Sequence, residues 1–148
     1  MKQELGRKIM GWDASFASRA DSGDLSVGII GLGYVGLPTA IGFRDAGFNV
    51  WGVDLSDRIV NALHEGRNPL GDPALADMIP ARDSERWHIT RSTADATAAC
   101  DVLIVPVPTP VSEDLKPDLS YVESAGRAVF EAAGKGNRKV VILSLIHI

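Results

Sequence analysis

One cysteine, Cys100, stands in 148 residues. That excludes an internal disulfide framework and any multi-cysteine metal cluster. Basic blocks are lacking as well: 15 Lys and Arg against 19 Asp and Glu leave a net charge of −4. Nucleic acid and anionic membranes need a concentrated basic patch, so neither is expected as a partner. No apolar run approaches the ~18–20 residues that cross a bilayer, because Gly, Pro or Asp interrupts each one. The first residues carry Glu4 and Asp13 with no continuous apolar stretch, unlike a secretory signal. A reducing, cytoplasmic setting fits these absences. What is present is a hydrophobic fraction of 45%, ample for one core, on a length that suits one domain.

Residues 1–24 are polar, small and aperiodic. They read as a loosely ordered arm with room for a short helix, or as a misplaced start. From Leu25 a regular alternation begins and defines residues 25–148 as the domain. Leu25–Ile30 is a short apolar run closing on Gly31, which suits a strand buried on both faces. Residues 34–46 read as a helix stopped by Gly47. Phe48–Val53 is a second strand ending at Asp54. Ser56 or Asp57 then caps a helix to about Glu65, buried through Ile59, Val60 and Leu63 and closed by Gly66. A short helix is expected near Ala74–Ile79, a third strand at Trp87–Thr90, and a small Ala-rich helix over 93–99. Asp101–Pro106 is a fourth, buried strand. Ser120-Tyr-Val-Glu123 matches a capping box opening a helix to about Ala133. Lys139–Leu143 is a fifth strand. Strands alternating with helices over short links imply a parallel sheet with helices on both faces, an α/β doubly wound fold.

The strongest chemical signal is Gly31-Leu-Gly33-Tyr-Val-Gly36, which fits G-x-G-x-x-G. It follows a strand and opens a helix, the Rossmann context that gives the motif its physics. Gly31 permits the tight turn, Gly33 lets backbone approach a pyrophosphate, and Gly36 lets helix and strand pack closely. Unpaired amides and the positive end of the helix dipole then face the anion. Pro38, in the first turn, forfeits an N–H that has no intrahelical partner. Asp54 closes the second strand, 23 positions after Gly31. A carboxylate there accepts from both adenine-ribose hydroxyls and repels a 2′-phosphate, so the expected cofactor is NAD rather than NADP.

Other residues say less. Arg58 reads equally as a neighbour of the adenosine or as a solvated helix arginine. Val105-Pro-Val-Pro-Thr-Pro110 ends the fourth strand at the carboxyl edge, where open α/β sheets bind ligands. Its prolines cannot continue a ladder, and Thr109 offers a hydroxyl in that crevice. His64, His88 and His147 share no metal-ligand spacing. Cys100, just ahead of a buried strand, reads as a small buried hydrophobe, and Trp12, Trp51 and Trp87 as packing residues.

At these motifs the chain resembles the UDP-glucose/GDP-mannose dehydrogenase family of nucleotide-sugar 6-dehydrogenases. The matching segments are Val27-Gly-Ile-Ile-Gly-Leu-Gly-Tyr-Val-Gly-Leu-Pro38, Gly52-Val-Asp54, Val107-Pro-Thr-Pro110 and Pro117-Asp-Leu-Ser-Tyr-Val122. The resemblance implies NAD-dependent, two-step oxidation of a sugar C6 alcohol to a carboxylate. Val-Pro-Thr-Pro in place of the more usual Val-Gly-Thr-Pro resembles the UDP-N-acetylhexosamine branch, so UDP-N-acetylmannosamine or UDP-N-acetylglucosamine is the implied substrate. By the same resemblance Tyr34 and Val35 contact the pyrophosphate through backbone, Asp54 the ribose and Thr109 the nicotinamide side. Two positions depart from the family pattern. Ile59 stands where a basic residue usually follows the ribose Asp, with Arg58 one place earlier, and Pro106 stands where a small residue or Cys is usual.

The family's catalytic Cys segment, its Lys and Asn, its central dimerising helix and its sugar domain have no counterpart in these residues. The resemblance therefore implies the cofactor half of an enzyme that is a homodimer at full length, truncated after about the fifth strand and inactive alone. The alternative reading is a standalone, non-catalytic NAD-binding or sensing module. Leu143-Ser-Leu-Ile-His-Ile148 also matches one reading frame of a transposon end used in sequencing libraries. Native sequence is therefore expected to end near Ile142, with Ile146–Ile148 making no native contacts.

Overall fold

In the computed structural model, residues 14–79, 85–108, 110, 118–134 and 140–143 are described. Five parallel strands form one sheet: β1 (Ser26–Ile30), β2 (Asn49–Val53), β3 (Trp87–Thr90), β4 (Val102–Val105) and β5 (Val140–Leu143), in the order β3-β2-β1-β4-β5. The helices are α1 (Ala14–Asp21), α2 (Gly36–Asp45), α3 (Asp57–His64), α4 (Thr93–Ala99) and α5 (Ser120–Ala133). Beyond β1 the strand order reverses direction, and β1 pairs with both β2 and β4. In doubly wound sheets the crevice at that reversal receives the ligand.

Strand alternation divides the core in two. Val27, Ile29 and Val50 point to one face and pack with Leu37, Ala40 and Ile41 of α2 and Leu63 of α3. Ile30, Val53, Leu103 and Val105 point to the other and pack with Ala96 of α4 and Val129 of α5. Cys100 joins that second cluster at 1% exposure, the buried role expected of it. Ile59 is half-buried against the first cluster, a looser place than its position in the helix suggested.

Two local expectations need correction. Between Ala74 and Ile79 the chain forms a 3-10 turn, Pro73–Leu75, rather than a helix. Asp72 caps that turn by accepting from the Ala74 amide, and Leu75 anchors it in the core. Ser120 does not cap α5: Leu119 is the cap residue, and Ser120 is already the first helical position. The Asp118 carboxylate takes over the cap by accepting from the Ser120 amide at 2.9 Å. A carboxylate is a stronger acceptor for an orphan amide than a hydroxyl, and it also suits the helix dipole. Ser56 caps α3 by position without a side-chain bond.

The described residues ahead of β1 are tied down. Arg19 of α1 holds Asp101 with two hydrogen bonds, Nη1 to Oδ1 at 3.0 Å and Nη2 to Oδ2 at 2.7 Å. Asp101 Oδ2 also accepts from the Ser26 amide, so α1 is fastened to the starts of both β1 and β4. At the other end of the sequence, Leu143 pairs with Val105 as the last residue of β5. Residues 144–148 lie outside the described residues, as does His147.

The Asp118 cap carries a pH prediction. Bonds from the Ser120 hydroxyl and then the Ser120 amide hold the Asp118 carboxyl below the usual carboxylate value. A pKa lowered by folding means stability that is fully present above the unfolded value and lost as pH falls through the folded one. The start of α5 should therefore fray in acid. An NMR pH titration is expected to show the Asp118 carboxyl and the Ser120 amide moving together, below the midpoints of exposed aspartates. In Asp118→Asn that acid step should vanish.

Candidate functional site

The glycine loop is built where β1 leaves the sheet. Gly31 takes φ +109°, a conformation that L side chains rarely adopt. Its amide donates to the Val53 carbonyl at 2.7 Å, extending the pairing of β1 with β2 by one residue. Leu32 then turns its side chain into the core, at 0% exposure. The Gly33 carbonyl accepts from the Leu37 amide at 3.0 Å, and the Val35 carbonyl from the Thr39 amide at 3.1 Å. The cap residue of α2, Val35, supplies no side-chain acceptor to the first helical amides. Such an uncapped helix start is a ready anion site.

The last two glycines serve different needs. A Cβ on Gly36 would lie 1.7 Å from the Gly31 carbonyl oxygen, so this glycine is demanded by the fold. A Cβ on Gly33 would meet no protein atom within 4 Å. Nothing in the packing requires Gly33 to be glycine, and its bare backbone leaves room for a bulky anion at the helix start. The loop thus fits the pyrophosphate of a dinucleotide on its own geometry. Tyr34 and Val35 are 75% and 37% exposed and neither side chain lines the adjoining cavity, so what they offer a ligand is main chain.

That cavity, of about 390 Å³, opens at the carboxyl ends of β1, β2 and β4. Its floor is Ile30, Gly31 and Val53, with Asp54 and Leu55 on one side and Thr93 beside them. Val107 and Pro108 close the end nearest β4, and α5 forms a wall of Tyr121, Ser124, Ala125 and Ala128. Three small side chains on one face of α5 make the space. Asp54 is the one charged residue among the described lining residues. Without Lys or Arg in that wall, a 2′-phosphate would meet a carboxylate and no counter-charge.

Asp54 is held firmly. Its amide donates to the Thr90 carbonyl at 3.2 Å. Oδ2 accepts from the Leu32 amide and Oδ1 from the Ser56 amide, both at 2.9 Å. Two accepted bonds leave a carboxylate with further lone pairs for ribose hydroxyls.

The structure thus brings Gly31, Gly33, Gly36 and Asp54 together at the crevice, with the main chain of Tyr34 and Val35. Arg58 does not join them. It is exposed and donates from Nη1 to the Pro69 carbonyl at 2.7 Å, stitching α3 to the following loop. Thr109 lies outside the described residues. His64 and His88 hydrogen-bond separately, to the Ile89 carbonyl and to Asn49 Oδ1, and no cluster of metal-ligating side chains occurs among the described residues. Val107 and Pro108 belong to the segment expected at the carboxyl edge, whereas Leu55, Thr93 and the α5 wall do not stand out in the sequence as site residues. Their signal is weak: small residues at helical spacing on α5, and Tyr121 inside the Pro-Asp-Leu-Ser-Tyr-Val segment.

Comparison with known proteins places this geometry. Residues 25–147 match the profile of the UDP-glucose/GDP-mannose dehydrogenase family, NAD binding domain. An NDP-N-acetyl-D-galactosaminuronic acid dehydrogenase of Ralstonia nicotianae is 34% identical over 116 residues, covering 78% of this chain and 27% of that protein. The UDP-N-acetyl-D-mannosamine dehydrogenase of Escherichia coli (strain K12) is 36% identical over 111 residues, covering 75% of this chain and 26% of the relative. Among solved structures, a ternary complex of GDP-mannose dehydrogenase from Pseudomonas aeruginosa superposes with a TM-score of 0.75 at 30% identity, covering 80% of this chain and 28% of that one. A UDP-D-ManNAc dehydrogenase from Pyrococcus horikoshii gives 0.72 at 33% identity, covering 82% and 28%. The chain therefore spans about a quarter of the length of these relatives.

Proposed function

Because the chain belongs to the UDP-glucose/GDP-mannose dehydrogenase family and forms its NAD-binding domain, we propose that it serves the oxidation of the C6 alcohol of a nucleotide sugar to a carboxylate. The substrate we assign is a UDP-N-acetylhexosamine. Two things support that choice: relatives carrying the name UDP-N-acetyl-D-mannosamine dehydrogenase, and the Val107-Pro-Thr-Pro110 segment at the sheet's carboxyl edge. The whole protein acts as a homodimer in the cytoplasm and supplies a uronic acid for polysaccharide synthesis.

In this reading the main chain from Gly31 to Gly36, including Tyr34 and Val35, holds the pyrophosphate. Asp54 accepts from the adenine ribose, and the α5 wall with Leu55 and Thr93 encloses the adenosine. Thr109 serves the nicotinamide side, and Arg58, committed to the Pro69 carbonyl, takes no part in the site. Bound NAD supplies the hydride acceptor. The protein's part is to fix that acceptor against the sheet edge and keep water from the adenosine pocket.

The observation that carries the cofactor choice is the lone carboxylate Asp54 in a cavity wall without a described cation. Calorimetric titration is expected to give NAD the lower Kd and NADP the higher. Asp54→Ala should weaken NAD by about 1–3 kcal/mol, the range of charge-assisted hydrogen bonds. NADP binding tighter than NAD to the unaltered chain would overturn the assignment.

A further inference from the structure

We propose that Asp54 has a second role, latching the glycine loop in its anion-binding shape before any nucleotide arrives. This rests on the NAD reading of the same site. The loop's second residue, Leu32, is fixed from two sides. Its side chain is fully buried in the core beneath α2, and its amide donates to Asp54 Oδ2 at 2.9 Å. The amide before it, that of Gly31, is tied to the end of β2 through the Val53 carbonyl. The other carboxylate oxygen holds the Ser56 amide at the start of α3. Asp54 therefore joins the loop after β1 to the loop after β2.

The physical consequence follows from the partly buried position of the Leu32 amide. Without the carboxylate, that donor has no acceptor in place, and the loop must shift to find water. A loop free to shift presents its amides less well to a pyrophosphate, because preorganised donors bind an anion without a reorganisation cost. Asp54 thus positions the phosphate site as well as contacting the ribose. Replacing it in order to admit a 2′-phosphate would weaken every dinucleotide.

The test uses the 148-residue chain with ADP and 2′,3′-dideoxy-ADP, which keeps the pyrophosphate and lacks the ribose hydroxyls. If the latch is real, Asp54→Ala weakens the dideoxy compound roughly 5- to 20-fold, although it has no hydroxyl for Asp54 to contact. Hydrogen exchange of the Leu32 amide in the ligand-free chain should quicken by roughly tenfold. Asp54→Asn, nearly isosteric, should fall between: its one carbonyl oxygen can serve Leu32 or Ser56, while its NH2 repels the other amide. Unchanged dideoxy-ADP affinity together with unchanged Leu32 exchange in both variants would overturn the latch and leave Asp54 a ribose contact alone. Failure of the unaltered chain to bind either nucleotide would instead remove the NAD reading, and Leu32 exchange would still decide the latch.

Discussion

Gly36→Ala is expected to cost about 3 kcal/mol or more, or to prevent folding, while Gly33→Ala leaves stability intact and weakens nucleotide binding. At Gly36 the added Cβ would lie 1.7 Å from the Gly31 oxygen and 2.8 Å from the Gly31 carbonyl carbon, with Pro106 Cγ at 3.2 Å. The two Gly31 atoms are backbone, and that backbone is tied to β2 through the Gly31 amide, so the obstruction cannot rotate aside. At Gly33 the Cβ meets no protein atom within 4 Å, and the residue is not among the left-handed glycines. Alanine there should hold stability or raise it by about 0.4–1 kcal/mol through the unfolded chain, while its methyl occupies space left for the anion. Thermal melts and NAD titrations of both variants provide the check. A Gly36→Ala chain melting within a few degrees of the unaltered one would refute the packing argument. Undiminished NAD binding by Gly33→Ala would refute the ligand argument.

Leu103→Ala should destabilise by about 2–5 kcal/mol, the range for truncating a fully buried leucine. Leu103 is 0% exposed in the middle of β4, against Ile30, Val53 and Val129. For a chain of this size the loss lowers Tm by roughly 5–20 °C. A neighbour makes the prediction sharper. Gly28 faces Leu103 from β1, and a Cβ on Gly28 would lie 2.6 Å from Leu103 Cδ2 and 3.1 Å from Cys100 Sγ. Gly28→Ala alone should therefore destabilise by overpacking, about 1–3 kcal/mol. In the Leu103→Ala background the same methyl enters the space that the leucine left. The double variant should then be more stable than the sum of the singles by at least about 1 kcal/mol. Additive losses in a denaturant-unfolding cycle would show that the two residues do not share that space.

Much of this molecule is legible in its residues alone. The strands β1, β2, β4 and β5 are marked by short apolar runs, and each glycine of the loop by its place between strand and helix. Both signals are local: a strand with a buried face must carry apolar side chains there, and the positive φ of Gly31 selects glycine. The expected boundaries of α2, α3 and α4 agree with the structure to within two residues for the same reason. Where local chemistry offered more than one partner, the sequence alone did not decide. The capping-box pattern pointed to Ser120, and the Asp118 carboxylate took the start of α5 instead. Arg58 suited solvent or nucleotide, and Pro69 took its Nη1.

The sequence by itself therefore determined the order of strands and helices, the anion-binding turn and the acidic residue at the end of β2. Periodicity and backbone conformation act over a few residues, and those features need nothing more. Only the tertiary structure decided which distant residues complete the site. The α5 wall lies some ninety positions beyond the glycine loop and reaches the cavity because β4 pairs directly beside β1. Arg19 meets Asp101 across 82 positions through that same pairing, and Asp54 meets Leu32 across 22 because β2 runs in register with β1. Such contacts are set by strand register and helix packing over the whole chain, and neither is written in the spacing of any one segment.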